Sequence, residues 1–158
     1  MHEIVRSRAV AAPPAAVWSR LADFGAIDRW AANVDHSCLL REPDEPPGIG
    51  TVRRVQVGRT TLLERVVTWQ PDQELAYDID GLPPVVRCAR NVWRLHPQGA
   101  HGTLVELASQ VDCGSNPAQR LLARGVGLAL ARASDRLLDG LVRACSQPTS
   151  AATEDRSP

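Results

Sequence analysis

Two charged residues at matched positions in adjacent β-prone runs are the first candidates for chemistry. Thr51 to Val57 and Thr60 to Trp69 are rich in β-branched residues and are separated only by Gly58-Arg59, a spacing that predicts a tight hairpin. That register sets Val57 against Thr60, Val55 against Leu62, Arg53 against Glu64 and Thr51 against Val66, all on one face. The opposite face carries Val52, Arg54, Gln56, Thr61, Leu63, Arg65 and Val67, with two arginines uncompensated, so the first set makes the better interior. An arginine and a glutamate on a core face are costly unless paired and wetted. Either they form a structural salt bridge near the sheet rim, or they anchor polar atoms inside a hydrated cavity. In a cavity, a carboxylate can accept a proton and a guanidinium can hold a negatively charged oxygen.

Nothing else in the chain has the pattern of a catalytic centre. His2, His36, His96 and His101 fall at a terminus, on a strand and in turns, and no nucleophile motif is present. Gly48-Ile49-Gly50 runs into a strand, so it is not a phosphate loop. Cys38, Cys88, Cys113 and Cys145 are far apart, with no C-x-x-C pair and no histidine at metal spacing; they are expected to be reduced, half-buried thiols in a cytoplasmic protein. No metal or cofactor is expected. Eighteen basic and eighteen acidic residues give no net charge, hence no electrostatic case for nucleic acid or an anionic membrane. All the lysine-plus-arginine charge is arginine, a composition that suggests a GC-rich coding genome. No apolar signal segment or membrane-spanning run stands out, so stable membrane insertion is not expected.

The 158 residues suit one domain with a sizeable core, expected over 1–145, followed by a disordered tail over 146–158. The element to which everything else must fit is a helix from about Asn116 to Cys145, with Asn116 as N-cap and Pro117 in the first turn. At about 100° per residue, Leu122, Val126, Ala129, Leu130, Ala133, Leu137, Leu141 and Ala144 share one arc. Arginines and aspartates fill the opposite side. Gly125, Ala129 and Ala133 leave the middle of the apolar arc without bulk, so either the sheet comes unusually close or a space remains beside the helix. Leu121, Leu128, Leu138 and Val142 lie outside the arc, as a homodimer seam or as cover for loops at a pocket mouth.

Upstream, His2 to Val10 reads as a strand of mixed parity, and Pro14 opens a short helix carrying Val17, Trp18 and Leu21. A second short helix, about Ala26 to Ala32, presents Ile27 and Trp30. Strands follow at Val34 to Leu40, in the hairpin, and at Leu75-Tyr77-Ile79. Val85 to Leu95 is the next strand, with Ala89, Asn91 and Trp93 on one parity, and Thr103 to Asp112 is the last, with Val105, Leu107, Ser109 and Val111 on one parity. Gly81-Leu82-Pro83-Pro84 is a stiff loop with an apolar tip, suited to a flap.

This order resembles the helix-grip fold of the START and pollen-allergen-like (SRPBCC) superfamily, and within it the polyketide cyclase/dehydrase and lipid-transport group. The likeness is carried by Val10-x-Ala12-Pro13 before Val17-Trp18, Leu21-Ala22-Asp23-Phe24 with Trp30, Gly50-Thr51-Val52-Arg53, Glu64-Arg65-Val66 with Tyr77, Gly81-Leu82-Pro83, Trp93-Arg94-Leu95 and Gly102-Thr103-Leu104-Val105. It implies an α+β fold: a seven-stranded curved antiparallel sheet around a long C-terminal helix, with two short helices after strand one. It also implies a pocket for a small hydrophobic or amphipathic ligand, lined by Glu64, Tyr77, Ala89, Asn91 and Trp93, with Asp35 and Ser37 as further candidates. Arg53, Val55, Leu62, Ile79, Leu82, Leu107, Ser109, Gly125, Ala129 and Ala133 complete the expected lining. Plant hormone receptors of the superfamily close a gate loop between strands three and four; here that connection is the Gly58-Arg59 turn, which leaves the Gly81 to Pro84 loop as the flap. Three functions fit the resemblance: a carrier or sensor, a cyclase or dehydrase acting through Glu64 and Arg53, or an interaction module with a vestigial cavity.

Overall fold

The computed structural model describes residues 1–43, 48–114 and 116–147. Of the tail expected over 146–158, Ser146 instead closes the last helix and the part from 148 onward lies outside the described residues. The chain runs β1 (His2–Val10), α1 (Pro14–Ala22), a 3-10 helix (Phe24–Arg29), β2 (His36–Arg41), β3 (Val52–Val57), β4 (Thr60–Gln70), β5 (Glu74–Asp80), β6 (Cys88–Gln98), β7 (Gly102–Asp112) and α2 (Pro117–Ser146). All neighbouring strands are antiparallel in one seven-stranded sheet of order β1-β7-β6-β5-β4-β3-β2. This is the helix-grip arrangement.

The β3–β4 register is the one the Gly58-Arg59 spacing predicts, with Arg53 opposite Glu64 and Val55 opposite Leu62. Beyond it, a β-bulge between Val66 and Thr68 shifts the strand by one residue. The bulge restores Trp69 to the concave face, where its ring meets Trp18 of α1 edge-on at 5.2 Å. Two more edge-on pairs, Phe24 with Tyr77 at 5.5 Å and Trp30 with Trp93 at 6.2 Å, tie the 14–30 segment to β5 and β6. The short helices are therefore pinned to the sheet by rings rather than by caps, since neither has a side-chain N-cap bond.

The long helix starts where its capping residues dictate. Asn116 Oδ1 accepts from the Ala118 and Gln119 backbone N–H groups, and Gln119 Oε1 accepts in return from Asn116 N. Its rotation differs from the sequence expectation by about a quarter turn. The residues pressed into the fold are Gly127, Ala131, Ser134, Leu138 and Leu141, whereas Leu122 and Ala129 are exposed. The cause lies on β1, whose inner parity carries Arg6 and Arg8. Arg8 donates to Asp139 at 3.0 Å and Asp135 at 3.1 Å, and Arg6 approaches Asp135 at 3.6 Å. Such half-exposed pairs add little stability, but they set which side of α2 meets β1. They also explain the mixed parity of the first strand. Leu138, expected on the outside, is fully buried, and Val142 is half-buried against the core. Among the cysteines, Cys113 is buried and Cys145 intermediate, but Cys38 and Cys88 are exposed rather than half-buried; all four are free.

Two glycines of α2 have opposite surroundings. A Cβ on Gly140 would collide with the Trp30 carbonyl, while one on Gly125 would meet nothing within 4 Å. Gly140→Ala is therefore expected to cost about 1–3 kcal/mol through overpacking, and Gly125→Ala to gain roughly 0.5–1 kcal/mol through helix propensity. Urea unfolding of the two variants should give midpoints on opposite sides of the parent.

Candidate ligand cavity

The quarter-turn rotation of α2 leaves one flank of the helix hanging over the concave sheet instead of touching it. The gap is a partly open cavity of about 390 Å³. Val126, Ala129, Leu130, Ala133 and Leu137 of α2 form its roof, and Val55, Val57, Thr60, Leu62, Glu64, Tyr77, Ile79 and Asn91 form the sheet side. Ile27, Asn33 and Val34 close one side, and Leu82, Pro83 and Val86 another.

Several expected lining residues take other places. Gly125 faces open space on the outside of α2. Ala89, Trp93, Leu107 and Ser109 are on the concave parity but sealed in the core, at 5% exposure or less, beneath the groups that do face the space. Asp35 does not face it either; its carboxylate accepts from Gly58 N at 2.6 Å and fastens the hairpin turn. Ser37 bonds Gly25 O at 2.6 Å and Asp28 Oδ1 at 2.8 Å, tying β2 to the 3-10 helix. Arg53 stands behind Glu64 rather than at the surface of the cavity. The Asp35 and Ser37 side chains are both spent on tying the start of β2 to neighbouring segments, partners distant in sequence that alternation along a strand does not reveal. Asn33, Val34 and Val86 are absent from the expected lining: Val34 and Val86 are expected at the starts of strands, but β2 begins only at His36 and β6 at Cys88, so both lie in connecting segments, as Asn33 does.

The flap loop is anchored, not free. Gly81 has φ +92°, and a Cβ there would lie 2.5 Å from Thr61 O, so the loop leaves β5 in close contact with β4. Leu82, expected to be an exposed tip, is half-buried and packs in the cluster containing Val126 and Leu130 of α2.

Beneath the cavity lies a buried polar network. Arg53 is 3% exposed and Glu64 6%, so the pair is inside the fold, not at the sheet rim. Arg53 Nε donates to Glu64 Oε2 at 2.6 Å and Nη1 donates to the Phe24 carbonyl at 2.7 Å. The guanidinium is flanked by the Phe24 ring at 3.8 Å and the Tyr77 ring at 4.9 Å, so its charge is met by a carboxylate, a carbonyl and two π faces. Among the described residues, Glu64 Oε1 accepts no hydrogen bond, and Glu64 belongs to the cavity lining.

A second chain of hydrogen bonds ends at Tyr77. Asn91 Nδ2 and Trp93 Nε1 both donate to Tyr77 Oη at 3.3 Å. Ser109 Oγ donates to Asn91 Oδ1 at 2.8 Å and lies 3.0 Å from Ser134 Oγ on α2. With two N–H groups directed at its oxygen, the phenol has its own proton free to donate, with no acceptor for it among the described residues, and Tyr77 belongs to the cavity lining. Burial raises the Tyr77 pKa above its usual 10.0, and the Glu64 charge raises it further against the opposing effect of Arg53. The group stays a neutral donor.

A curved antiparallel sheet gripping a C-terminal helix, with a cavity between them, defines a START-like helix-grip protein. The chain belongs to the polyketide cyclase / dehydrase and lipid transport family, whose model matches residues 1–146. Among solved structures, an aromatase/cyclase, Zhui, from Streptomyces sp. R1128 superposes with TM-score 0.74 at 20% identity, covering 91% of this chain and 93% of that one. A START superfamily protein from Mycobacterium smegmatis gives 0.72 at 15% identity, covering 92% and 97%. A solution structure from Thermobifida fusca gives 0.67 at 29% identity, covering 90% and 95%. No curated protein matches the chain.

Two outcomes follow from the network. Arg53→Met should destabilise the fold by about 3–5 kcal/mol, because Glu64 is left buried without its partner; Arg53→Met with Glu64→Leu should recover much of the loss in chemical denaturation. The chain has one tyrosine, so alkaline titration is unambiguous. Its raised pKa gives stability that is present below pH 10.0 and is lost as pH rises through the folded value. Phenolate absorbance at pH 10.0 should therefore be lower in the folded protein than in the unfolded chain and rise together with unfolding.

Proposed function

We propose that the protein binds a small hydrophobic or amphipathic molecule, as a carrier or sensor, in the cavity between α2 and the sheet. The observation that carries this reading is the cavity itself: about 390 Å³, within the range usual for small-molecule sites, with an aliphatic body and a few convergent polar groups. Tyr77 supplies a donor, Glu64 Oε1 an acceptor, and Asn91 lines the same space. Asn33 Oδ1 is a buried acceptor without a protein partner among the described residues, and it suits a ligand hydroxyl or amide on another wall. A ligand with an oxygenated end and an aliphatic or aromatic body matches this distribution. The family description, which joins lipid transport with cyclase and dehydrase activity, is compatible with that chemistry.

A second reading, a cyclase or dehydrase acting on a poly-keto chain, is favoured by one feature. Glu64 and Tyr77 bring a proton acceptor and a neutral donor to the same wall. In that reading Glu64 Oε1 takes a proton from a carbon between two carbonyls while Tyr77 donates to the enolate oxygen. Because Arg53 holds Oε2, the reaction would run through Oε1 alone.

Native mass spectrometry of protein purified from its own host should show a co-purifying small molecule, and Ala133→Trp, which fills the cavity from the roof, should remove it with the fold retained. A cavity that is repeatedly empty, or an unchanged adduct in the filled variant, would count against the carrier. Glu64→Gln separates the readings: loss of poly-keto turnover with ligand uptake preserved identifies the cyclase.

A further inference from the structure

We propose that the amino-terminal half of α2 is a docking surface for an anionic lipid bilayer, beside the mouth of the cavity. Three of the large apolar side chains most open to solvent lie within eight residues of this helix: Leu121 is 70% exposed, Leu122 52% and Leu128 57%. With Gly125 between them they form an apolar face that nothing in the fold covers. The face continues into the cavity, since Leu122 is followed at helical spacing by Val126, Ala129 and Ala133, which form the roof.

The charge around this face is mostly positive: the acid that shares a shallow hollow with Arg124 and Leu128 is Glu3, beside Arg6, and its carboxylate accepts from Gln110 Nε2 at 2.9 Å. Between Cys113 and Ser134 the sequence has arginine at 120, 124 and 132 and no acidic residue, although the whole chain is neutral. Beside the same turns, a hollow of about 690 Å³ is lined by Arg87, Arg124, His2 and the amino-terminal Met1. Its acid, Asp112, is already engaged by Gly114 N at 2.9 Å and lies 4.0 Å from the terminal ammonium. Neither Arg87 nor Arg124 has a carboxylate partner among the described residues. Exposed leucines beside unpaired arginines fit an interface of acyl chains and anionic headgroups.

Other occupants fit less well. A second copy paired across this face by a two-fold axis would bring together the same arginine-bearing stretch of both chains, with no acid in the stretch to neutralise it. The segment after Gln147 contains no large apolar residue.

Flotation of the full chain with vesicles tests the proposal. Phosphatidylcholine vesicles containing phosphatidylglycerol should carry the protein, and pure phosphatidylcholine vesicles should not, with binding falling as salt is raised. Leu121→Gln with Leu128→Gln, and separately Arg87→Gln with Arg124→Gln, should each weaken binding by about tenfold or more. Leu63→Gln, an exposed position on the far side of the sheet, should leave it unchanged. Circular dichroism checks that each variant is folded. Absence of anionic preference, or undiminished binding by the leucine variant, overturns the proposal. So does sedimentation showing a dimer that dissociates when Leu121 and Leu128 are replaced, because a second copy then covers the face. The readout needs no cavity ligand, so its failure leaves the carrier reading intact.

Discussion

The rotation of α2 about its own axis is the constraint on which the cavity depends. A thirty-residue helix lying on a concave sheet has no reason to leave a gap if its bulkiest face points inward. Here small residues point inward instead. Gly127 sits against His2 and Ile4, with Ala131 and Ser134 on the same side, and the Arg6 and Arg8 contacts to Asp135 and Asp139 hold that side against β1. Close approach along one edge of the sheet lifts the other flank of the helix away from β3 to β5, and the aliphatic side chains there become a roof. At the carboxyl end, where Leu138 and Leu141 are fully buried among Val17, Leu21 and Val105, the same helix is part of an ordinary packed core. One element thus supplies a closed end and an open end.

The sheet side of the cavity is stiff for a different reason. Arg53 is held by a carboxylate, a backbone carbonyl and two aromatic faces, so it has little freedom to follow a ligand. The cost of burying it is offset only while all these partners stay in place, which couples Phe24 of the 3-10 helix, Glu64 of β4 and Tyr77 of β5 into one unit. Tyr77 belongs to both this unit and the Asn91–Ser109–Ser134 chain, so the polar wall is connected through side chains to α2 itself. A ligand bonded to Tyr77 meets a donor whose orientation is fixed from both directions.

What the sequence made legible follows from which interactions are local. The hairpin register needed only the two residues between two β-branched runs, and the helix start only Asn116 and Pro117; both stand as read. The Arg53–Glu64 pair followed from that register. Helix rotation was not legible, because the apolar arc of α2 contains residues that face a void as well as residues that face the core, and both are apolar. The small residues that mark real contact, Gly127 and Ala131, were outranked by the larger side chains of the roof. Likewise, Ser109 and Trp93 have the parity of lining residues, but depth within a concave sheet depends on its curvature, to which irregularities such as the bulges in β2 and β4 add and which no propensity indicated.

Net charge is a sum over the chain and hides where the charges lie. Equal numbers of acids and bases say nothing about their segregation, and in this chain the acids are paired elsewhere: Asp78 with Arg90, Glu74 and Glu106 with Arg94, Asp135 and Asp139 with the β1 arginines. Each of those pairs uses up a carboxylate on the sheet or on the far half of α2. The near half is then left cationic without any excess of arginine in the whole. A helix that is acid-free and apolar where it borders the cavity mouth, and paired and buried where it anchors the fold, separates the contacts that hold the protein together from the surface available to anything outside it.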